Sequence, residues 1–250
     1  MAISETAKRN HDALFPQHNS TLNVSDPELI AIFDNWAFDE VLRDSALDAR
    51  KRLMVQLAAI IACNGISEFR AMLVGALNIG VTPVEAKEIV YQAVPYVGMA
   101  RVFDFIHVTN AVLEERGVSL PLPDQATTTT ENRMEKGLEL QRALFGERID
   151  QMIANAPKDQ QHIQRLLSGH CFGDHVTRRG LDLGTRELLT LSMLAALGGC
   201  EPQIAGHVAG NLAAGNDRAT LIDTVTQLLP FIGYPRTLNA LRVISENAPG

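Results

Sequence analysis

Glu187, Cys200 and His207 are side chains of the kind that carry protons or attack electrophiles, and they lie close together along the chain. Gln203, His207 and Asn211 recur at every fourth position, which places them on one face of a helix. Gly206 and Gly210 stand beside them and leave room for a ligand or for the close approach of another helix. On the preceding segment Glu187 shares a stripe with Leu191 and Leu194, so it points toward the core. A buried carboxylate is costly unless paired. Desolvation raises a carboxyl's affinity for protons, which suits one that trades them near neutral pH. Cys200 precedes a helix that begins near Pro202. A thiol at a helix N-terminus, with a histidine one or two turns on, can have a lowered pKa and react as thiolate. Each residue also has an ordinary reading: a first-turn glutamate favoured by the helix dipole, a cysteine acting as a small hydrophobe, a histidine satisfied in the core.

Internal duplication separates these readings. Leu47, Asp48, Arg52 and Leu57 match Leu181, Asp182, Arg186 and Leu191 at an offset of 134 residues. Gly80, Gln92, Pro95, Gly98 and Arg101 match Gly215, Gln227, Pro230, Gly233 and Arg236 at an offset of 135 residues, so the second copy has one extra residue near Cys200. "ALF" at 13–15 echoes "ALF" at 143–145, and Phe38 echoes Phe172. The apolar frame is kept in the first copy, but the polar groups are not. Leu53 stands for Glu187, Met72 for His207, Ala76 for Asn211 and Glu68 for Gln203, while the Cys200 region reads Asn64-Gly65-Ile66. Polar groups that only supported the fold should be needed in both copies. Their joint loss points to a working site in the second copy and a structural first copy.

The elements that must position this site are helices. Leu188, Leu191, Leu194 and Leu197 follow helical spacing. Asp26 followed by Pro27 reads as a helix start, Thr82 with Glu85 as a capping box, and Asp217 as the cap of the equivalent second-copy helix. No stretch alternates with hairpin turn signals, so the expected fold class is all-α, with two tandem helical units. The division expected is a first unit over 1–117, a linker over 118–132 within the Pro- and Thr-rich "GVSLPLPDQATTTTEN", and a second unit over 133–250.

Composition narrows the partners. A net charge of −7 argues against nucleic acid. The first residues, "MAISETAKRNHDALF", carry no apolar signal core, and the most apolar stretch, Leu53 to Cys63, is short and interrupted by Gln56, so neither secretion nor a membrane span is expected. Three cysteines without a signal segment suit reduced thiols in the cytoplasm. His170, Cys171, His175, Cys200 and His207 lack the tight paired spacing of a zinc site, and no phosphate loop or Ser-His-Asp elbow is present, so no metal or cofactor is expected.

The pattern "LDLGTRELLTLSMLAALGG", followed by "HVAGNL" and "QLLPFIGYPRTLNAL", resembles the carboxymuconolactone decarboxylase family, whose all-helical fold is shared with the alkyl hydroperoxidase D proteins. The resemblance is close over 131–246 and looser over 6–115, so the chain looks like a tandem member with two fused family units. It implies obligate oligomers, and for a two-unit chain a homotrimer that mimics a hexamer. The alkyl hydroperoxidase D relatives carry a Glu, a Cys-x-x-Cys and a His four residues later. Glu187, Cys200 and His207 fit that order, with Gln203 in place of the second cysteine, the one nearer the histidine. True decarboxylases show a tryptophan and "RPG" where this chain has Val176 and "RRG", with His175 just before.

The leading reading is a cofactor-free site acting on a small unsaturated lactone or keto acid, with Glu187, Cys200 and His207 as catalytic candidates. His175, Gln203, Asn211 and Arg236 would contact substrate, and Arg236 or Arg186 would hold a carboxylate. The alternative is a thiol peroxidase, with Cys200 as nucleophile and Cys171 as a resolving thiol. A third is a non-catalytic binding or assembly protein using the same cavity.

Overall fold

The computed structural model describes residues 2–16 and 20–248, which form helices and connecting turns with no strand among them. The first unit contributes α1 (Glu5–Leu14), α2 (Pro27–Asn35), α3 (Ala49–Ala62), α4 (Ile66–Asn78), α5 (Pro83–Val97) and α6 (Met99–Glu115). The second contributes α7 (Arg133–Phe145), α8 (Arg148–Asn155), α9 (Gln161–Leu166), α10 (Leu183–Leu197), α11 (Glu201–Ala213), α12 (Arg218–Ile232) and α13 (Tyr234–Asn247). Single-turn helices occupy Leu22–Ser25 and Val41–Arg43. Wide π-helical turns stand at matching places in the two units, Trp36–Glu40 and Leu167–Val176, and carry the counterparts Phe38 and Phe172.

Local chemistry sets the helix starts in both copies alike. Asp48 accepts from Lys51 N at 3.1 Å to open α3, and its counterpart Asp182 accepts from Thr185 N at 2.8 Å to open α10. Thr82 and Glu85 form the expected capping box on α5, and Asp217 caps α12 through Thr220 N at 2.8 Å. Asp26 does not cap α2. Its carboxylate accepts instead from Ser25 Oγ at 2.6 Å, and Pro27 alone marks that start.

The two central helices, α3 and α10, pack against each other, and nearly every side chain from Leu53 to Ala62 and from Thr185 to Ala196 is buried. Each unit then covers the other's central helix: α5 of the first lies on α10, and α12 of the second lies on α3. Polar ties run the same way. Gln92 Nε2 donates to Arg186 O at 2.7 Å, Gln56 Nε2 to Gln227 O at 3.0 Å and Gln227 Nε2 to Val41 O at 2.8 Å. One apolar core therefore spans both units. Removing a buried leucine such as Leu191 by mutation to alanine would cost about 2–5 kcal/mol.

Around the site, α7 runs backbone to backbone along the π-helical turn at Leu167–Val176. A Cβ on Gly137 would lie 1.9 Å from Ser168 O, and one on Gly173 would lie 2.2 Å from Arg133 O, so this approach admits only glycine at both places. The close packing carries Phe145, at the end of α7, and Phe172 toward α11.

Candidate active site

Glu187 projects from the first turns of α10 with a side chain 1% exposed, and His207 from the middle of α11 with a side chain 14% exposed. His207 Nδ1 lies 2.8 Å from Glu187 Oε2, a charge-assisted contact that fixes the imidazole by one nitrogen and leaves Nε2 as the other point of exchange. Gly210 makes the pairing sterically feasible. A Cβ there would stand 2.5 Å from Glu187 Oε2 and 2.9 Å from Phe145 Cε1.

Aromatic edges clamp the imidazole. Phe145 meets the His207 ring at 5.8 Å and 90°, and Tyr96, from the end of α5 in the other unit, meets it at 5.9 Å and 73°. Phe172 backs Phe145 at 6.0 Å. The Tyr96 hydroxyl receives the Cys171 thiol at 3.8 Å. Burial, then the nearby Cys171 and Glu187, push the Tyr96 phenol well above its ordinary range, so it is a neutral O–H group at any working pH.

Asn211, four residues beyond His207, is fully buried and spends its polar atoms on the backbone and a neighbour. Its Nδ2 donates to Glu187 O at 3.1 Å and to His207 O at 2.8 Å, and its Oδ1 accepts from Asn216 Nδ2 at 2.9 Å. It is a brace that locks α11 onto α10 at the pair, rather than the substrate contact expected from its position. Arg186 is likewise committed. It is buried and donates through Nη1 to Gln92 Oε1 at 2.8 Å and through Nη2 to Glu88 Oε2 at 2.8 Å and Arg178 O at 2.9 Å, while its Nε is buried without a partner.

Of the other candidates, Cys171 reaches this group through Tyr96, and among the described residues no hydrogen bond ties the rest to the Glu187–His207 pair. Cys200 occupies the N-cap position of α11 and directs Sγ at Gly198 O, 3.5 Å away. Partial burial, then Glu201, push its thiol up, the reverse of the expected activation. Cys171 is buried and pushed up to about 12, first by desolvation. Gln203 is exposed on the helix surface. Arg236 is exposed, with its guanidinium 3.6 Å from Cys63 Sγ. His175, on the π-helical turn, has a buried Nδ1 with no hydrogen-bond partner, and desolvation lowers its pKa. The charges that act on it are Asp174, Arg178, Glu88 and Arg186, not the Glu187–His207 pair. His170 pairs with Asp174 at 2.9 Å. No three His, Cys, Asp or Glu side chains come together as a metal site among the described residues. None of the described helices is long and apolar enough to cross a membrane.

In the first unit the same frame is filled with carbon. Leu53 and Met72 are buried where Glu187 and His207 stand in the second, and Phe15 packs on Gly75 as Phe145 packs on Gly210. Sequence reasoning missed Phe145, Phe172 and Tyr96 as walls of the site. The duplicated "ALF" and the exchange of Tyr96 for Phe231 at the 135-residue offset are the signals that mark two of them.

Fold and site together define a tandem all-helical protein with one buried glutamate–histidine pair and one filled counterpart. The chain belongs to the carboxymuconolactone decarboxylase family, whose model matches residues 27–111 and again 161–246. It is 26% identical over 117 residues to a 4-carboxymuconolactone decarboxylase of Acinetobacter baylyi, a match covering 46% of this chain and 87% of that protein. It is 37% identical over 73 residues to an uncharacterized 15.0 kDa protein of Paracoccus denitrificans, covering 29% of this chain and 54% of that one. A solved structure from Burkholderia xenovorans, described as a gamma-carboxymuconolactone decarboxylase subunit, superposes with a TM-score of 0.52 over 96% of each chain at 17% identity. That likeness is one of fold.

Proposed function

We propose that this protein is a cofactor-free decarboxylase of small carboxylated, unsaturated lactones or related keto acids, with Glu187 and His207 as its acid–base pair. The 2.8 Å bond between a buried carboxylate and a histidine with one free nitrogen carries the reading. Loss of CO2 breaks the bond from the carboxyl carbon, and its electron pair spreads into the conjugated lactone. His207 Nε2–H returns the proton to carbon, while Glu187 holds Nδ1 in place and offsets the charge that the imidazole carries. Family membership and the Acinetobacter relative supply 4-carboxymuconolactone as the first substrate to try.

The test is incubation of the purified chain with 4-carboxymuconolactone in D2O. Deuterium is expected on carbon in the product with wild-type protein. With Glu187→Gln and His207→Ala the rate is expected to fall by about 10²–10⁴-fold, the scale of general acid–base catalysis. Turnover unchanged in both variants would refute the assignment. The thiol-peroxidase reading has weak support, because burial raises both Cys200 and Cys171 and Gln203 cannot resolve a sulfenic acid.

In this reading residues 1–117 are scaffold, 118–132 a linker and 133–250 the working unit, and three unpaired thiols suit a reducing cytoplasm. The assembly proposed is a homotrimer. Its support is an exposed apolar pair repeated in both units, Met99 with Phe103 on α6 and Tyr234 with Leu238 on α13. Light scattering should give three chains, and Phe103→Asp with Leu238→Asp should give one. A wild-type monomer would contradict it.

A further inference from the structure

We propose that Tyr96 is a positioning residue of the Glu187–His207 site, lent by the first unit to the second: its ring holds the imidazole, and its hydroxyl, which receives the Cys171 thiol, holds the ring. The inference rests on the acid–base reading above.

Three observations carry it. The first is the row that delivers Tyr96. Glu88, Gln92 and Tyr96 stand four residues apart on one face of α5, and the first two meet Arg186 and Thr190, also four apart, on α10. Glu88 takes Arg186 Nη2 at 2.8 Å. Gln92 bonds Arg186 at Nη1 and at its carbonyl, and also Thr190 Oγ1 at 3.1 Å. Tyr96, next on that face, receives the Cys171 thiol at 3.8 Å. Glu187 follows Arg186 on the same helix, so the row that fixes Tyr96 also fixes the helix that presents the carboxylate.

The second is the placement of the ring. Tyr96 and Phe145 meet the imidazole from two helices of different units, both edge-on, so that rotation of the His207 ring would drive it into one or the other. With Nδ1 bound to Glu187, that clamp fixes where Nε2 points. Orientation of this kind is worth large factors in rate, since a misplacement of about 1 Å can lower it about 10²-fold.

The third is the internal control. The counterpart of Tyr96 is Phe231, which packs on Phe33 at 6.0 Å. The counterparts of Thr190, Cys171, Glu187 and His207 are Gln56, Ala37, Leu53 and Met72. Gln56 turns away to Gln227 O. The hydroxyl is therefore present where the acid–base pair is present and absent where the pair has become Leu and Met. If position 96 needed only a ring to fill space, phenylalanine would serve there as it does at 231.

The experiment uses the full chain with ¹⁵N-labelled histidine, the His207 signals being assigned by their loss in His207→Gln. Long-range ¹H–¹⁵N spectra read the imidazole tautomer, and kcat and KM are measured on 4-carboxymuconolactone. Wild-type protein is expected to show a single set of His207 signals. Tyr96→Leu should move or split those signals and lower kcat by about 10²-fold with KM within about twofold. Tyr96→Phe, which keeps the ring, should restore most of kcat while still shifting the signals. Phe231→Leu, the same truncation at the matched position, should leave spectrum and kcat unchanged. A folded Tyr96→Leu protein with unmoved His207 signals overturns the proposal, as does an equal change in Phe231→Leu. If Tyr96→Leu fails to fold, the Tyr96→Phe spectrum decides in the same way. If wild-type protein does not decarboxylate the lactone, the functional reading fails while the spectra still decide the role of Tyr96.

Discussion

Converting the site into its own filled counterpart, Glu187→Leu with His207→Met, should remove activity and leave the protein as stable as before or more so. In the first unit Leu53 and Met72 occupy the same frame, buried beside Gly75 and Phe15 as the pair is buried beside Gly210 and Phe145. The singles should behave unequally. His207→Met leaves Glu187, 1% exposed, without the partner it meets at 2.8 Å, and breaking a buried pair in this way costs about 3–5 kcal/mol. Glu187→Leu leaves a histidine that is 14% exposed and within reach of water, so the loss is nearer one hydrogen bond, about 1–2 kcal/mol. Replacing a buried ion pair with apolar side chains of similar volume is neutral or stabilising by about 1–4 kcal/mol. Thermal midpoints at fixed protein concentration read the cycle, since self-association shifts them. At about 2–4 °C per kcal/mol for a chain of this size, His207→Met should melt about 6–20 °C lower, with the double variant at or above wild type. A double variant whose loss equals the sum of the singles would show that the two residues are not coupled, and would refute the reasoning.

Gly210→Ala places a Cβ 2.5 Å from Glu187 Oε2 and should depress kcat. Gly75→Ala, whose Cβ would stand 2.5 Å from Phe15 Cε1, should lower the melting temperature and leave kcat per folded protein intact. In native protein Cys171, pushed up to about 12, should resist iodoacetamide at pH 8, and Cys200 should react no faster than a free thiol, both read by mass spectrometry. Burial lowers the His175 pKa below its unfolded value of about 6.5, so its neutral form is the one the fold accepts. Its contribution is complete above about pH 6.5 and is lost as pH falls from there through the folded value, and His175→Phe should flatten that part of the stability profile.

Much of this was legible in the chain because duplication supplies its own comparison. Asp48 and Asp182 matched across the repeat and cap equivalent helices, and the swap of Glu187 and His207 for Leu53 and Met72 announced which unit carries the pair. Spacing alone misled where it could not report what a side chain meets. Asn211 lies on the face of His207, yet its amide is consumed by two backbone carbonyls. Cys200 stands at a helix N-terminus, yet burial and Glu201 push its thiol up. Arg186 has the type and position of a substrate clamp, but its two terminal nitrogens are bound by Gln92 and Glu88. Tyr96 was invisible as a wall because it comes from a helix about a hundred residues away in the other unit, and only the packing of α5 on α10 brings it to His207.

The most direct test of a single working unit is release of ¹³CO2 from carboxyl-labelled 4-carboxymuconolactone by wild-type protein, by His207→Ala and by the matched Met72→Ala, each at equal folded concentration. The account predicts that release is lost in His207→Ala and kept in Met72→Ala. Equal loss in the two variants, or full release from His207→Ala, would contradict it.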